Sequence, residues 1–117
     1  MHPEHLGYLI ADSVSGQRLG NIAVKQGDGV GGISDWVAAA ARGRGVATHA
    51  LNLLATAAFE HLGLRELRLW THEANTASRR VAERVGFLRT PAGDRRRDIK
   101  GEIWPTVAYA YARPAAP

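Results

Sequence analysis

The stretch Arg42-Gly43-Arg44-Gly45-Val46-Ala47-Thr48 decides how this chain is read. It stands between an apolar segment with strand character and a long run with helical spacing. Its glycines permit a tight turn and a close approach of backbone to a ligand. The helix that follows presents unpaired N–H groups and the positive end of its dipole. Together these features suit a pyrophosphate, and two arginines add charge beside it. A glycine-rich turn that only joins strand to helix is the plainer alternative. A Walker loop needs Gly-Lys followed by Ser or Thr, which the sequence lacks. A Rossmann fingerprint needs a third glycine in register and an acidic residue at the next strand end, and hairpins do not precede it.

Upstream of the loop, Leu6 to Ala11 and Leu19 to Lys25 read as a hairpin whose turn contains Ser15-Gly16. Gly27-Asp28-Gly29 is a further turn, and Ile33 to Ala38 reads as a third strand. Short connections make these strands antiparallel neighbours. Downstream, Ala47, Ala50, Leu51, Leu54, Ala58 and Leu62 recur at helical spacing, and Gly63 is a stop. Glu66 to Thr71 alternates as a strand. Reached through a helix, it lies parallel to the third strand. Asn75 is a natural N-cap for a second helix with Ala77, Val81 and Val85 on one face, ending at Gly86. Residues Arg89 to Gly101 are polar and basic with a turn at Pro91-Ala92-Gly93-Asp94, and Val107 to Tyr111 is the last strand. The expected fold is α/β (α+β): a mixed, mostly antiparallel sheet flanked by helices.

The 117 residues predict a single domain over 1–117 with a loose tail at 114–117. Cysteine is absent, which excludes disulfides, thiolate metal sites and cysteine nucleophiles and suits the cytoplasm. No metal is expected. No apolar run spans a membrane, and Met1-His2-Pro3-Glu4-His5 is not a signal peptide. A net charge of +4 favours an anionic partner: nucleic acid, an acidic protein or a phosphorylated cofactor. The abundance of Ala, Arg and Gly hints at a GC-rich bacterial genome.

Arg42, Gly45 and Ala47 fit the acyl-CoA loop of the GNAT N-acetyltransferases: Gln or Arg, two residues, Gly, one residue, then Gly or Ala. Trp36-Val37-Ala38 resembles that family's fourth strand. The block from Asn75 to Phe87 (NTASRRVAERVGF) resembles its second signature, in the form of the branch that acetylates ribosomal-protein N-termini. The likeness runs from about residue 6 to residue 113. It implies the GNAT fold, acetyl-CoA as acyl donor, and transfer of the acetyl group to a primary amine, either a protein N-terminal α-amine or a small amine. It also implies that the backbone of Val37 pairs with the pantetheine arm, which needs a sheet splayed between the family's fourth and fifth strands. The amides of Gly43, Arg44, Gly45, Val46, Ala47 and Thr48 would bind the pyrophosphate with Arg42 beside them. Asn75 would contact the pantetheine, cap the helix, or both. Many relatives carry a tyrosine acid where this chain has Ala82; in the ribosomal-protein branch a serine equivalent to Ser78 is the replacement.

A lysine amine is about 0.04% neutral at pH 7 and an α-amine about 10%, so an α-amine asks less of a base. Asp35, His72 and Glu73 are the candidates for that base, each with a solvated edge residue as the alternative. Arg79, Arg80 and Arg84 read as a solvated helix face with Glu83 as local partner, with contact to the 3′-phosphate of CoA as the second reading. Arg95-Arg96-Arg97 reads as a solvated loop or strand edge, with steering of an acidic substrate or rRNA second. Tyr109 and Tyr111 share one face of the last strand and read as core or edge packing first and as substrate-site tyrosines second. The family's first strand and first helices have no counterpart in this chain. Either a partner subunit, such as a second copy, covers the exposed face, or the true start lies upstream, or the chain is a decayed copy. The rival to an enzyme is a non-catalytic module that binds CoA, RNA or protein; nucleic acid is the less expected partner.

Overall fold

The computed structural model describes residues 5–11, 18–37 and 45–114. The element order is β1 (His5–Ala11), β2 (Arg18–Gly27), β3 (Val30–Val37), α1 (Val46–His61), β4 (Glu66–His72), α2 (Thr76–Val85), β5 (Leu88–Arg89), β6 (Arg95–Ile99) and β7 (Glu102–Ala112), with one 3-10 turn at Pro91–Gly93. The seven strands form one sheet in the order β1-β2-β3-β4-β7, with β5 and then β6 along the outer edge of β7. Among the described strands only β3 and β4 are parallel. The expected mixed, mostly antiparallel sheet is what the chain forms.

Two hairpins follow from two-residue connections. Asp28 and Gly29 have φ of 55° and 79°, and Lys100 and Gly101 have 52° and 83°, the positive pair a type I′ turn requires. Asp-Gly marked the first in the sequence. It also starts β3 at Val30, three residues before the expected Ile33. The Ser15-Gly16 turn lies outside the described residues, but β1 and β2 pair antiparallel as expected.

Both helices cover the same face. Leu51, Leu54, Ala55 and Ala58 of α1 and Ala82 of α2 join Ile22, Val24, Ile33, Leu67, Leu69, Val107 and Tyr109 in a single core. The apolar stripe of α1 reads correctly from its spacing. On α2 the buried face is rotated from expectation: Ala77 is exposed, Ala82 is 1% exposed, and half-buried Ser78, Val81 and Val85 flank it. Phe87 is buried, and Tyr111 packs against it and Phe59 at ring distances of 5.2 and 5.6 Å.

The basic segment after α2 is more ordered than its composition suggests. β6 pairs fully with β7, so the Arg95-Arg96-Arg97 run is strand. The Pro91 turn loops out between β5 and β6 and leaves Ala108 of β7 without a strand partner on that edge. Thr90 N–H donates to the Ala108 carbonyl at 2.9 Å, and the Ala108 N–H donates to Asp94 Oδ1 at 3.0 Å. A side chain thus completes the ladder that the backbone interrupts.

Candidate functional site

The seam between β3 and β4 consists of three register pairs: Val30 with Glu66, Gly31 with Leu67, and Gly32 with Arg68. Beyond it β3 continues to Val37 paired with β2, and β4 continues to His72 paired with β7. Residues 33–37 and 69–72 therefore flank a wedge whose two walls each have a backbone edge unpaired among the described residues. The closed end is tightly built. An added Cβ on Gly31 would lie 2.6 Å from Val24 Cγ2 and 2.7 Å from Leu64 Cδ1. Arg65 N–H donates to the Gly29 carbonyl at 2.9 Å, and its guanidinium donates to the Asp28 carbonyl, which clamps the β2–β3 turn to the start of β4.

β3 leads from the open end of the wedge into α1. Gly45 is the N-cap of α1, in the left-handed region at φ 72°, with no side-chain cap. The first intrahelical bond runs from His49 N–H to the Gly45 carbonyl at 3.1 Å. The N–H groups of Val46, Ala47 and Thr48 precede it and have no acceptor in the helix. None is recorded for them among the described residues. Gly45 is exposed, and a Cβ there would meet nothing within 4 Å. Arg42, Gly43 and Arg44 lie outside the described residues. Asp35 and Val37 belong to the diverging part of β3, in register with Ile22 and Gly20.

The other candidates gather where β4 ends. Asn75 caps α2, its Oδ1 accepting from Ser78 N–H at 3.1 Å. The cap role of Asn75 is thus established, with its side-chain N–H₂ left to donate elsewhere. Ser78 sits one turn before buried Ala82 on the inward face of α2, and its hydroxyl makes no hydrogen bond among the described residues. A tyrosine in place of Ala82 would have to enter the core. Glu73 is exposed beside His72; its N–H donates to the Pro105 carbonyl at 3.0 Å. His72 Nδ1 accepts the Ala74 N–H at 3.0 Å, which puts the imidazole proton on Nε2. In that arrangement the ring has no free lone pair, so His72 is the weakest of the three base candidates.

Three arrangements went unread in the sequence. Arg79 does not belong to a solvated face: its Nε donates to Tyr109 Oη and its Nη1 to the Glu73 carbonyl, both at 3.0 Å. Tyr109 Oη donates to Glu83 Oε2 at 3.0 Å. A fully buried phenol needs such partners, and Arg79 and Glu83 stand one helical turn apart to supply them. On the face that neither α1 nor α2 covers, Arg97 lies over Trp70, 4.3 Å from guanidinium carbon to ring centre. There too the rings of His72 and Trp104 meet edge to face at 5.2 Å. The spacing of Arg79 and Glu83 was the one available signal; the aromatic pairs join distant segments.

The comparisons match this geometry. The family model for the acetyltransferase (GNAT) domain matches residues 1–88. A Bacillus subtilis (strain 168) relative, YdaF, named for ribosomal N-acetyltransferase activity, is 41% identical over 56 residues. That stretch is 48% of this chain and 31% of the relative. The structure of Mycobacterium smegmatis RimJ in complex with CoA-disulfide superposes with a TM-score of 0.80 at 24% identity, over 93% of this chain and 53% of that one. A spermidine N-acetyltransferase mutant from Vibrio cholerae gives 0.79 at 16% identity, over 93% and 66%. The chain thus spans about a third of the curated relative and under two thirds of RimJ. A splayed sheet, a bare helix start beside it and a family match over residues 1–88 agree, and the chain belongs to the GNAT acetyltransferase family.

Proposed function

We propose that this chain transfers the acetyl group of acetyl-CoA to a primary amine, a protein N-terminal α-amine ahead of a small amine, by direct attack in a ternary complex. The observation that carries this reading is the parting of β3 from β4 after Gly32 and Arg68, next to a helix start whose first N–H donors have no acceptor among the described residues.

The residues present fit the donor. Its doubly linked phosphate suits the N–H groups of Gly45, Val46, Ala47 and Thr48, with Gly43 and the Arg42 and Arg44 side chains as further partners. Its amide-bearing arm suits an unpaired strand edge at Val37, as an added strand would. When bound, acetyl-CoA supplies an activated thioester. The amine gains the acetyl group and loses a proton, and the thiolate gains one. In this reading Ser78 is the proton donor to the thiolate, and Glu73 or Asp35 takes the amine proton, directly or through a water. Asn75, already oriented by its cap bond, offers its side-chain N–H₂ to the arm. Positioning supplies most of the acceleration.

The ribosomal assignment of YdaF and the form of the Asn75 block support an N-terminal α-amine. A cytoplasmic setting belongs to the same proposal. No helix among the described residues is long and apolar enough to cross a membrane. The test is incubation with acetyl-CoA and a panel of peptides and small amines, following free thiol. Release that saturates with one class of acceptor supports the reading. Thermal stabilisation by CoA without thiol release from any acceptor would instead leave a binding module, and no stabilisation at all would remove the CoA site.

A further inference from the structure

We infer that the acceptor carries a carboxylate close to its amine and that Arg97, held over the Trp70 ring, is the group that recognises it. This rests on the acetyl-transfer reading above and adds the substrate class.

The two faces of the sheet divide the work. The start of α1 lies on the helix-covered face, so a donor anchored there reaches the wedge from that side. Direct attack then brings the acceptor from the opposite face, the one that α1 and α2 do not cover. β4 alternates, with Leu67 and Leu69 buried under the helices and Arg68 and Trp70 exposed on the other side. Trp70 is 41% exposed and stands two residues past the last pair of the seam, on the wall of the wedge itself. Its partner across the ladder, Ala108, is too short to cover the indole.

Arg97 fills that space from β6. Its Nε is fixed on Thr106 Oγ1 at 3.2 Å, and Thr106 is itself buried and donates to the Arg95 carbonyl at 3.0 Å. Stacking and this single bond orient the guanidinium and leave both terminal nitrogens without a partner among the described residues. The neighbouring acids are placed elsewhere. Asp98 points to the other face of β6 and accepts the Gly101 N–H at 2.9 Å, while Glu66 pairs with Arg68. Asp94 pairs with Arg89. A pre-oriented planar fork with two free N–H₂ groups matches a carboxylate in two-point contact. The same cation disfavours a polyamine.

The carboxylate can belong to a free acidic amino acid or to an acidic side chain near a peptide N-terminus, and acceptor length separates these sources. The experiment compares Ala-Asp and Ala-Asn peptides, aspartate and spermidine, in the native protein and in Arg97→Gln and Arg97→Lys. Readouts are kcat/KM from thiol release and peptide affinity from tryptophan fluorescence in the presence of CoA. A charge-assisted pair implies about a tenfold or greater Asp-over-Asn preference. That preference should collapse in Arg97→Gln and recover only partly in Arg97→Lys, which lacks the fork. Equal use of the two peptides, spermidine as the best acceptor, or an unchanged preference in Arg97→Gln would overturn the inference. With no thiol release from any acceptor the transfer reading fails, and fluorescence still decides this one: equal affinity for Asp and Asn peptides rejects it.

Discussion

Arg89 grips Asp94 with both terminal nitrogens, Nη1 to Oδ1 at 2.8 Å and Nη2 to Oδ2 at 2.9 Å, at the gap between β5 and β6 on the outer edge of β7. The same Oδ1 accepts the Ala108 N–H, and Arg89 Nη1 donates to the Ala108 carbonyl at 3.0 Å. The pair is a substitute rung in the sheet. Its hydrogen bond to Arg89, with the Ala108 N–H second, lowers the Asp94 pKa to about 2 from 3.8. The ionised form is therefore favoured in the folded state. Its contribution is fully present above the unfolded value near 4 and is lost as pH falls towards 2. Asp94→Asn should melt earlier than the native protein at pH 7, and the gap should close on acidification. Parallel melting curves across that range would show that the pair does not hold this edge.

Tyr109→Phe removes a buried hydroxyl that both accepts from Arg79 and donates to Glu83. The expected loss is about 1–2 kcal/mol, small because Arg79 and Glu83 can then approach each other. Urea denaturation with an unchanged slope checks it.

Gly31→Ala places a methyl group among Val24, Leu64 and Leu67 at the closed end of the wedge. Overpacking there should cost about 1–3 kcal/mol. A crystal structure of the variant should show the β3–β4 seam shortened. Full stability would mean that these side chains yield easily.

Gly45→Glu combines a carboxylate at the phosphate position with a left-handed backbone at φ 72°. Space around the Cβ is open, so the fold survives and CoA affinity falls by at least about two orders of magnitude, from like-charge repulsion and lost donor geometry. Gly45→Asn, which tolerates that φ, is the control and should bind far better. Equal affinity in the two variants by calorimetry would refute the loop assignment.

Asn75→Asp keeps the oxygen that caps α2 and loses the N–H₂ group; Asn75→Ala loses both. The first should keep its melting temperature, while the second loses about 1 kcal/mol. If Asn75 also touches the donor, both raise the KM for acetyl-CoA. Unchanged KM in the Asp variant would reduce Asn75 to a cap.

Legibility in the sequence followed how local each feature is. α1 and β4 declare themselves by the spacing of their own apolar residues, and Asp28-Gly29 and Gly86 mark a turn and a helix end. β6 does not, because Arg95-Arg96-Arg97-Asp98 has no apolar alternation; it is a strand only because the Lys100-Gly101 turn folds it onto β7. Pro105 hid the first half of β7, although Pro105 pairs with Arg96 of β6 and its carbonyl still accepts from Glu73 just past the end of β4. At the site, the glycine and helix start of the loop are local chemistry and were readable. The face of α2 was misjudged at Ala77, since small residues mark the inward side weakly. The clamp on Tyr109 and the Arg97–Trp70 stack depend on which strands become neighbours, a property of the whole sheet.

Among the described residues, the three rungs at residues 30–32 are the ladder that joins the two halves of the sheet, with the Arg65 clamp beside them. Mechanically the chain is two plates joined by a short hinge at one corner, with α1 as a brace across them. Whatever enters the gap and bonds both margins becomes a second weld. Occupancy should therefore stiffen the body as a unit, slowing amide exchange on both plates together, well away from any atom the guest touches.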